Sequence, residues 1–181
     1  MEWSSATGRK LTLLEGNITR VPADAIVNAA NSALAGGGGV DGAIHRAGGP
    51  SIMRELDAIR AREGGCPTGS AVATIAGTLP AKHVFHAVGP VYRDGRHGEP
   101  ELLASCYRRC LELAEEREVA TISFPAISTG IYGYPLEEAA AIAVREVTAH
   151  LNRDEVRVQH AIFVLFGRAA YEAHAKALRT L

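Results

Sequence analysis

The sequence predicts an α/β protein in which helices cover both faces of a mixed central sheet, a three-layer α/β/α arrangement. Short apolar runs typical of buried strands alternate along the chain with longer segments of helical periodicity. The segment Gly77 to Lys82, between two predicted strands, is too short for a parallel crossover, so this pair is expected to be antiparallel. No repeat or linker divides the 181 residues, which fit one domain at about 150 residues per domain.

The predicted strands are apolar runs bounded by turn residues. They are residues 10–15, 25–30, 70–76, 83–88, 121–127 and 157–166. The last run is apolar on both faces, which is typical of a strand inside the sheet. Residues 1–9 are polar, so we expect a flexible tail followed by a single domain over residues 10–181.

The predicted helices place their apolar residues three and four positions apart. They begin near Val40, at Pro50, at about Glu99, at Pro135 and at Ala169. Pro135 is well suited to a helix start, and Glu137 and Glu138 in the first turn favour the same interpretation.

Composition and charge exclude several classes of protein. The chain is 47% hydrophobic with a net charge of −1, which argues against intrinsic disorder and against nonspecific nucleic-acid binding. No apolar run is long enough for a membrane helix, and no secretory signal opens the sequence. The 3 cysteines are too few and odd in number for a disulfide framework. We therefore expect a monomer in the reducing cytoplasm, without a stable nucleic-acid or membrane partner.

Glycine is the unusual residue, since 7 of the 19 glycines lie between Gly36 and Gly49. Four consecutive glycines, residues 36–39, can turn successive N–H groups toward one anion because no Cβ intervenes. A helix that begins near Val40 adds further N–H groups and a positive dipole end. Such a loop is suited to bind phosphate oxygens.

Polar residues around this loop allow two interpretations each. Asp41, in the first helical turn, either stabilises the helix start or faces a ligand. Asn28 and Asn31, at the end of an apolar strand, either tie down the loop or contact a ligand, because buried amides need partners.

A second strand-to-helix loop carries Ser128, Thr129, Gly130 and two tyrosines, Tyr132 and Tyr134. Ligands of open α/β sheets bind where such loops leave the carboxyl ends of the strands. Two phosphate-binding loops at one sheet edge suit a diphosphate.

Other nucleotide and catalytic motifs fit poorly. A G-x-G-x-x-G at Gly37, Gly39 and Gly42 does not follow its strand directly, and no acidic strand end lies about 20 residues further on. A P-loop lysine and a G-x-S-x-G elbow are absent.

His83 and His86 would point to opposite faces of a strand, which argues against a metal site. Cys66 has no identifiable histidine partner, which argues against a thiol nucleophile. Phe166 ends a strand, where packing in the core is the default interpretation and contact with a base is the alternative.

Several motifs together closely resemble the macrodomain family, in particular its MacroD-type ADP-ribosylhydrolases. They are LLEGNIT, AIVNAANSALAGGGGVDGAIHRAGGP, CPTGSA, HAVGP and FPAISTGIYGYP, and the resemblance covers Leu11 to about Leu178. It implies a three-layer macrodomain fold, an ADP-ribose ligand and hydrolysis of mono-ADP-ribose from acidic side chains of proteins. Activity on O-acetyl-ADP-ribose is expected from the same ester chemistry, and neither a metal nor a cofactor is implied.

The resemblance also implies roles for single residues. Asn31 and Asp41 match positions that orient the distal ribose and the attacking water, and are the expected catalytic pair. The expected ligand-binding residues are Asn17, Ile18, Gly37, Gly38, Gly39, Val40, Ser128, Thr129, Gly130, Ile131, Tyr132 and Phe166.

This sequence departs from the family pattern at the adenosine end. Asn17 stands where relatives commonly have an Asp that contacts the adenine amine, and Gly167 stands where many are acidic. The alternative function is a module that binds ADP-ribose without cleaving it. A third possibility, binding of RNA or poly-ADP-ribose, is disfavoured by the near-zero net charge.

Overall fold

A computed structural model describes all 181 residues, with one sheet of seven strands and five α-helices. The strands are β1 (Glu2–Ser4), β2 (Lys10–Glu15), β3 (Ala25–Ala30), β4 (Ala71–Ile75), β5 (His83–Val88), β6 (Thr121–Phe124) and β7 (His160–Leu165). The helices are α1 (Gly39–Gly48), α2 (Pro50–Glu63), α3 (Glu99–Glu116), α4 (Leu136–Leu151) and α5 (Arg168–Arg179), with a short 3₁₀ helix at Ile18–Arg20. None of these helices is both long enough and apolar enough to cross a bilayer.

The sheet is mixed, and its strands lie in the order β1-β2-β7-β6-β3-β5-β4. The interior strands are parallel, whereas β1 and β4 run antiparallel to their neighbours at the two edges. The antiparallel pairing of β4 with β5 confirms the expectation from their short connection. The strand order also confirms an interior position for β7.

Two apolar clusters on opposite faces of the sheet produce the three predicted layers. Neighbouring strand residues divide between the clusters, because successive side chains point to opposite faces. Phe163 lies in the larger cluster with α3, α4 and α5, and Ile162 in the smaller one with α1 and α2. The α/β/α prediction is therefore confirmed.

The chain changes sides at the boundary between β3 and β6, which are neighbours in the sheet. Helices α1 and α2 follow β3 and pack on one face, whereas α4 follows β6 and packs on the other. The two connections therefore diverge from adjacent strand ends and leave a crevice between them, which is where ligands of open α/β sheets bind.

Residues 1–9 are ordered into the sheet, so the expectation of a flexible tail is wrong. Glu2–Ser4 forms an edge strand opposite residues 10–12 of β2, and Trp3 packs against the larger cluster. Arg9 is buried, and its guanidinium donates to the carbonyl oxygens of Leu151 (3.1 Å) and Asp154 (2.9 Å). Backbone pairing and one buried guanidinium thus hold a segment whose polar composition indicates disorder.

Glu99 organises the loop between β5 and α3 by accepting hydrogen bonds from four backbone N–H groups. The donors are Arg93 (2.9 Å), Asp94 (3.2 Å), Gly95 (3.0 Å) and His97 (2.6 Å). Desolvation raises the pKa of Glu99, but these donors outweigh it and lower the pKa to about 2.

Because the folded-state pKa of Glu99 lies below its ordinary value, its contribution is present above about pH 4.3 and is lost as the pH falls toward about 2. A Glu99→Gln variant should therefore be less stable than wild type at pH 7, and the difference should shrink over this acid range. Urea titrations between pH 7 and pH 2 measure it. A pH-independent difference would show that the carboxylate charge is not what the loop requires.

Candidate functional site

The first loop, residues 31–38, leaves the carboxyl end of β3 and is shaped by Asn31. The Asn31 side chain donates from Nδ2 to the carbonyl oxygen of Gly36 (2.9 Å) and accepts at Oδ1 from the N–H of Ala35 (3.1 Å). Of the two interpretations of this amide, the structure shows the one in which it ties down the loop. Its half-exposed position at the strand end leaves it beside the crevice.

The backbone donors of the glycine segment remain unused by the protein. None of the N–H groups of residues 36–41 donates a hydrogen bond to another protein group. Helix α1 begins at Gly39, and its N-cap Gly38 provides no capping side chain. A run of unpaired N–H groups that continues into a helix start is an anion-binding arrangement.

The second loop, residues 125–135, offers a similar run from the carboxyl end of β6. The N–H groups of residues 128–132 also have no acceptor within the protein. Ser128 has φ 66°, a conformation that is unusual for a residue with a side chain, and its buried Oγ makes no hydrogen bond. Ile131 is 99% exposed and Tyr132 is half-buried beside it.

The topology brings the two loops together. Strands β3 and β6 are parallel neighbours, with Ala25 opposite Ile122 and Ile26 opposite Ser123, so both loops leave the same edge of the sheet. At this position the helices that follow them diverge to opposite faces. The result is a crevice with two adjacent runs of N–H donors, which matches two phosphate groups.

Asp41 lies in the first turn of α1, beside the glycine loop, and is 5% exposed. Its Oδ1 accepts a hydrogen bond from Nδ2 of the buried Asn28 (2.7 Å), and Nε2 of His45 lies 3.3 Å from the same oxygen. The other oxygen, Oδ2, has no hydrogen bond within the protein and lies 3.6 Å from the position that a Cβ on Gly37 would take. Asp41 does not cap its helix through its side chain. One of its carboxylate oxygens is anchored by Asn28, and the other faces the glycine loop.

Two histidines near Asp41 were not identified as site residues from the sequence. His45 lies one helical turn after Asp41, and this i, i+4 spacing is the signal that could have found it. His86 lies opposite Asn28 in the β3–β5 pair and reaches it with Nδ1 (3.0 Å). Burial, with a smaller effect of His45, lowers the pKa of His86 to about 3, so this imidazole is neutral. Its role depends on strand pairing, which the sequence does not reveal.

The expected adenosine end lies beyond β2 and β7, which are parallel neighbours. Phe166 follows β7 directly and is 87% exposed, so its default assignment to the core is wrong. Gly167, with φ 103°, turns the chain there and leaves the ring at the sheet edge. Asn17 follows β2, and its Oδ1 accepts from the N–H (3.0 Å) and the hydroxyl (2.7 Å) of Thr19, so that the Nδ2 amino group remains available.

Ile18, beside Asn17, is buried in the smaller apolar cluster, so only its backbone reaches this edge of the sheet. The cysteines form no disulfide and are all buried. Burial raises the pKa of the Cys66 thiol, which argues against a thiolate nucleophile.

Comparisons with known proteins agree with this geometry. The family model described as "Macro domain" matches residues 27–143. A macro domain-containing protein of Caldanaerobacter subterraneus subsp. tengcongensis is 55% identical over 172 residues, which cover 95% of this chain and 97% of the relative. A protein of Pantoea vagans named O-acetyl-ADP-ribose deacetylase 1 is 51% identical over 94% of this chain and 99% of its own length.

Solved structures show the same architecture. A mutant of the Oceanobacillus iheyensis macrodomain, solved with ADPR, superposes with a TM-score of 0.93 at 39% identity, covering 99% of this chain and 97% of the other. The Trypanosoma brucei macrodomain in complex with ADP-ribose gives a TM-score of 0.84 at 41% identity, over 93% of this chain and 68% of the other.

Proposed function

The chain belongs to the macro domain family, and on this basis we propose that it is a hydrolase that binds ADP-ribose and cleaves its esters. The proposed substrates are O-acetyl-ADP-ribose and proteins that carry mono-ADP-ribose on acidic side chains, without a metal. The observation that carries the proposal is Asp41, whose unanchored Oδ2 faces a loop with unpaired N–H groups. Relatives named O-acetyl-ADP-ribose deacetylase support the same chemistry.

In the proposed complex the diphosphate lies in the crevice between the two loops. The N–H groups of residues 36–41 and 128–132 donate to its oxygens. The adenosine extends toward Asn17, Ile18 and the exposed ring of Phe166, and the distal ribose lies near Asn31 and Tyr132. This orientation places the ester of the distal ribose beside Asp41.

The proposed reaction is general-base hydrolysis of that ester. The carboxylate of Asp41 accepts a proton from a water molecule, which attacks the acyl carbon of the ester. The acyl–oxygen bond to the ribose then breaks, and the proton passes to the ribose oxygen. The products are ADP-ribose and a free carboxylic acid, while the loop N–H groups stabilise the charge that develops.

Product release and binding, measured side by side, test this proposal. The purified protein is incubated with O-acetyl-ADP-ribose and with a glutamate-linked mono-ADP-ribosylated protein, each with and without EDTA. We expect release of acetate from the first and of ADP-ribose from the second, with no effect of the chelator. Calorimetric binding of ADP-ribose without release from either substrate would instead favour the module that only binds.

We further propose that the protein works as a cytoplasmic monomer on modified proteins rather than on long nucleic acids. The net charge of −1 disfavours long polyanions, and the free, buried cysteines fit a reducing compartment.

Asn17 should weaken the preference for adenine, because the oxygen of its amide is already used by Thr19. An Asn17→Asp variant keeps that cap and adds a charged acceptor, and hydrogen bonds to charged groups are worth about 1 kcal/mol more than neutral ones. We expect about fivefold greater preference for ADP-ribose over its hypoxanthine analogue, measured by calorimetry. Asn17→Ala serves as the control, and an unchanged ratio in the Asp variant would place the adenine amine elsewhere.

A further inference from the structure

A chain of buried polar side chains lies behind Asp41, on the side away from the crevice. It runs from Asp41 through Asn28 and His86 to Thr74 on β4, and all four residues are buried, at 5% exposure or less. The polar contacts along it are 2.7 Å, 3.0 Å and 2.9 Å. Buried polar groups are costly unless they are paired, so a chain of this length needs an explanation.

The orientation of the Asn28 amide follows from its neighbours. Its Nδ2 carries two hydrogens, and it lies 2.7 Å from Oδ1 of Asp41 and 3.0 Å from Nδ1 of His86. The reverse orientation would place the amide oxygen against the Asp41 carboxylate, where two acceptors repel. The two amide hydrogens are therefore both used, one on each partner.

The protonation of His86 follows from both of its contacts. Because Asn28 donates to Nδ1, that nitrogen is an acceptor and the proton of the neutral ring resides on Nε2. At the other end, the Thr74 hydroxyl donates its only hydrogen to the carbonyl oxygen of Ile75 (2.8 Å), so it accepts from Nε2 (2.9 Å). The contacts at the two nitrogens are consistent with one tautomer, with the proton on Nε2.

We propose that His86, fixed by Thr74, is a positioning residue for ester hydrolysis. It holds the amide of Asn28, which in turn anchors Oδ1 of Asp41 and leaves Oδ2 directed at the attacking water. The proposal rests on the proposed function, because it assigns the base of that reaction a support. Asn28 is the main support of Oδ1, since Nε2 of His45 lies 3.3 Å away without hydrogen-bond geometry.

Two variants of similar size separate positioning from packing. His86→Asn places its Oδ1 where Nδ1 lies and keeps an acceptor for Asn28. His86→Gln reaches toward Thr74 but has a carbon at that position. We expect kcat for O-acetyl-ADP-ribose within about threefold of wild type for the Asn variant and about tenfold lower for the Gln variant. KM and the calorimetric Kd for ADP-ribose should stay within about twofold of wild type in both.

A second pair of variants applies if either His86 variant fails to fold. Thr74→Val removes the acceptor for Nε2, and Thr148→Val removes another buried hydroxyl that donates only within its own helix, to Val144 (2.7 Å) and Arg145 (3.2 Å). Only Thr74→Val should lower kcat, by up to about threefold, because it breaks the same Nε2 contact that His86→Asn gives up. In wild type, ¹⁵N NMR of the imidazole should show the Nε2–H tautomer of His86 at pH 7.

The outcomes are distinguishable. An Nδ1–H tautomer of His86 would overturn the positioning role. So would equal losses of kcat in His86→Asn and His86→Gln that follow their losses in melting temperature. Neither result would contradict the proposed hydrolysis. Wild-type protein that binds ADP-ribose but releases neither acetate nor ADP-ribose would overturn the proposed function and this role with it.

Discussion

Replacing Asp41 with asparagine should lower kcat for ester hydrolysis by at least about 100-fold, the low end of what a positioned general base contributes. Asparagine keeps the shape of the side chain and an oxygen that can accept from Nδ2 of Asn28, which lies 2.7 Å from Oδ1 of Asp41 in the wild-type protein. It cannot take a proton from water. Steady-state kinetics with O-acetyl-ADP-ribose measure the loss, and calorimetry should show ADP-ribose affinity within about threefold of wild type.

The alanine variant separates catalysis from stability. Asp41→Ala also removes the acceptor of a buried amide, and an unsatisfied buried donor costs about 1–3 kcal/mol, so this variant should be less stable than Asp41→Asn. Both should have equally low turnover. If Asp41→Asn retained turnover within about threefold of wild type, or if neither variant changed turnover or affinity, Asp41 would not be the base.

Replacing Gly89 with alanine should weaken ADP-ribose binding by about 30-fold, although Gly89 is not among the expected contacts. A Cβ on Gly89 would lie 2.2 Å from Oγ of Ser128 and 2.6 Å from Cγ2 of Ile127, so these two side chains must shift, and we expect the second loop to shift with them. Displacement of a loop whose N–H groups are proposed to bind phosphate should remove about 2 kcal/mol of binding energy. Overpacking of this kind also costs about 1–3 kcal/mol of stability.

A double mutant tests whether the loop transmits the effect. Ser128→Gly removes the Oγ from the clash and suits the φ of 66°, so adding it to Gly89→Ala should restore part of the affinity. Gly16→Ala is the matched control for stability, since Gly16 also follows a strand and has nothing within 4 Å of its Cβ position. Normal ADP-ribose affinity in Gly89→Ala would contradict this prediction and show that the clash does not displace the N–H groups that bind the ligand.

The sheet, its helices and the two loops were predictable because each has a local signal. Apolar runs mark the strands, and the glycine segment and Pro135 mark the helix starts that follow β3 and β6. The predicted ends of the elements were less accurate where a proline interrupts the backbone hydrogen bonding. Strand β6 ends at Phe124 rather than at residue 127, since Pro125 has no N–H to continue the ladder.

The hydrogen bonds that orient Asp41 could not be predicted from the sequence, because they connect residues on different secondary-structure elements. Asn28 meets Asp41 and His86 only after β3 has paired with β5 and α1 has packed on the sheet. The edge strand β1 escaped detection for a similar reason, since its three residues are held by pairing with β2. The exposure of Phe166 depends on the turn at Gly167, which no periodicity reveals.

The unpaired N–H groups of the two loops belong to the main chain, and this has an evolutionary consequence. A substitution changes a side chain but leaves the N–H in place, provided that the new residue tolerates the local backbone conformation. The centre of the crevice should therefore accept new side chains only where the backbone allows them, and a side chain at Gly36 (φ 82°) or Gly39 (φ 57°) would be strained. At the two ends the proposed contacts of Asn17, Phe166 and Asp41 are made by side chains, so a substitution there changes the contact directly.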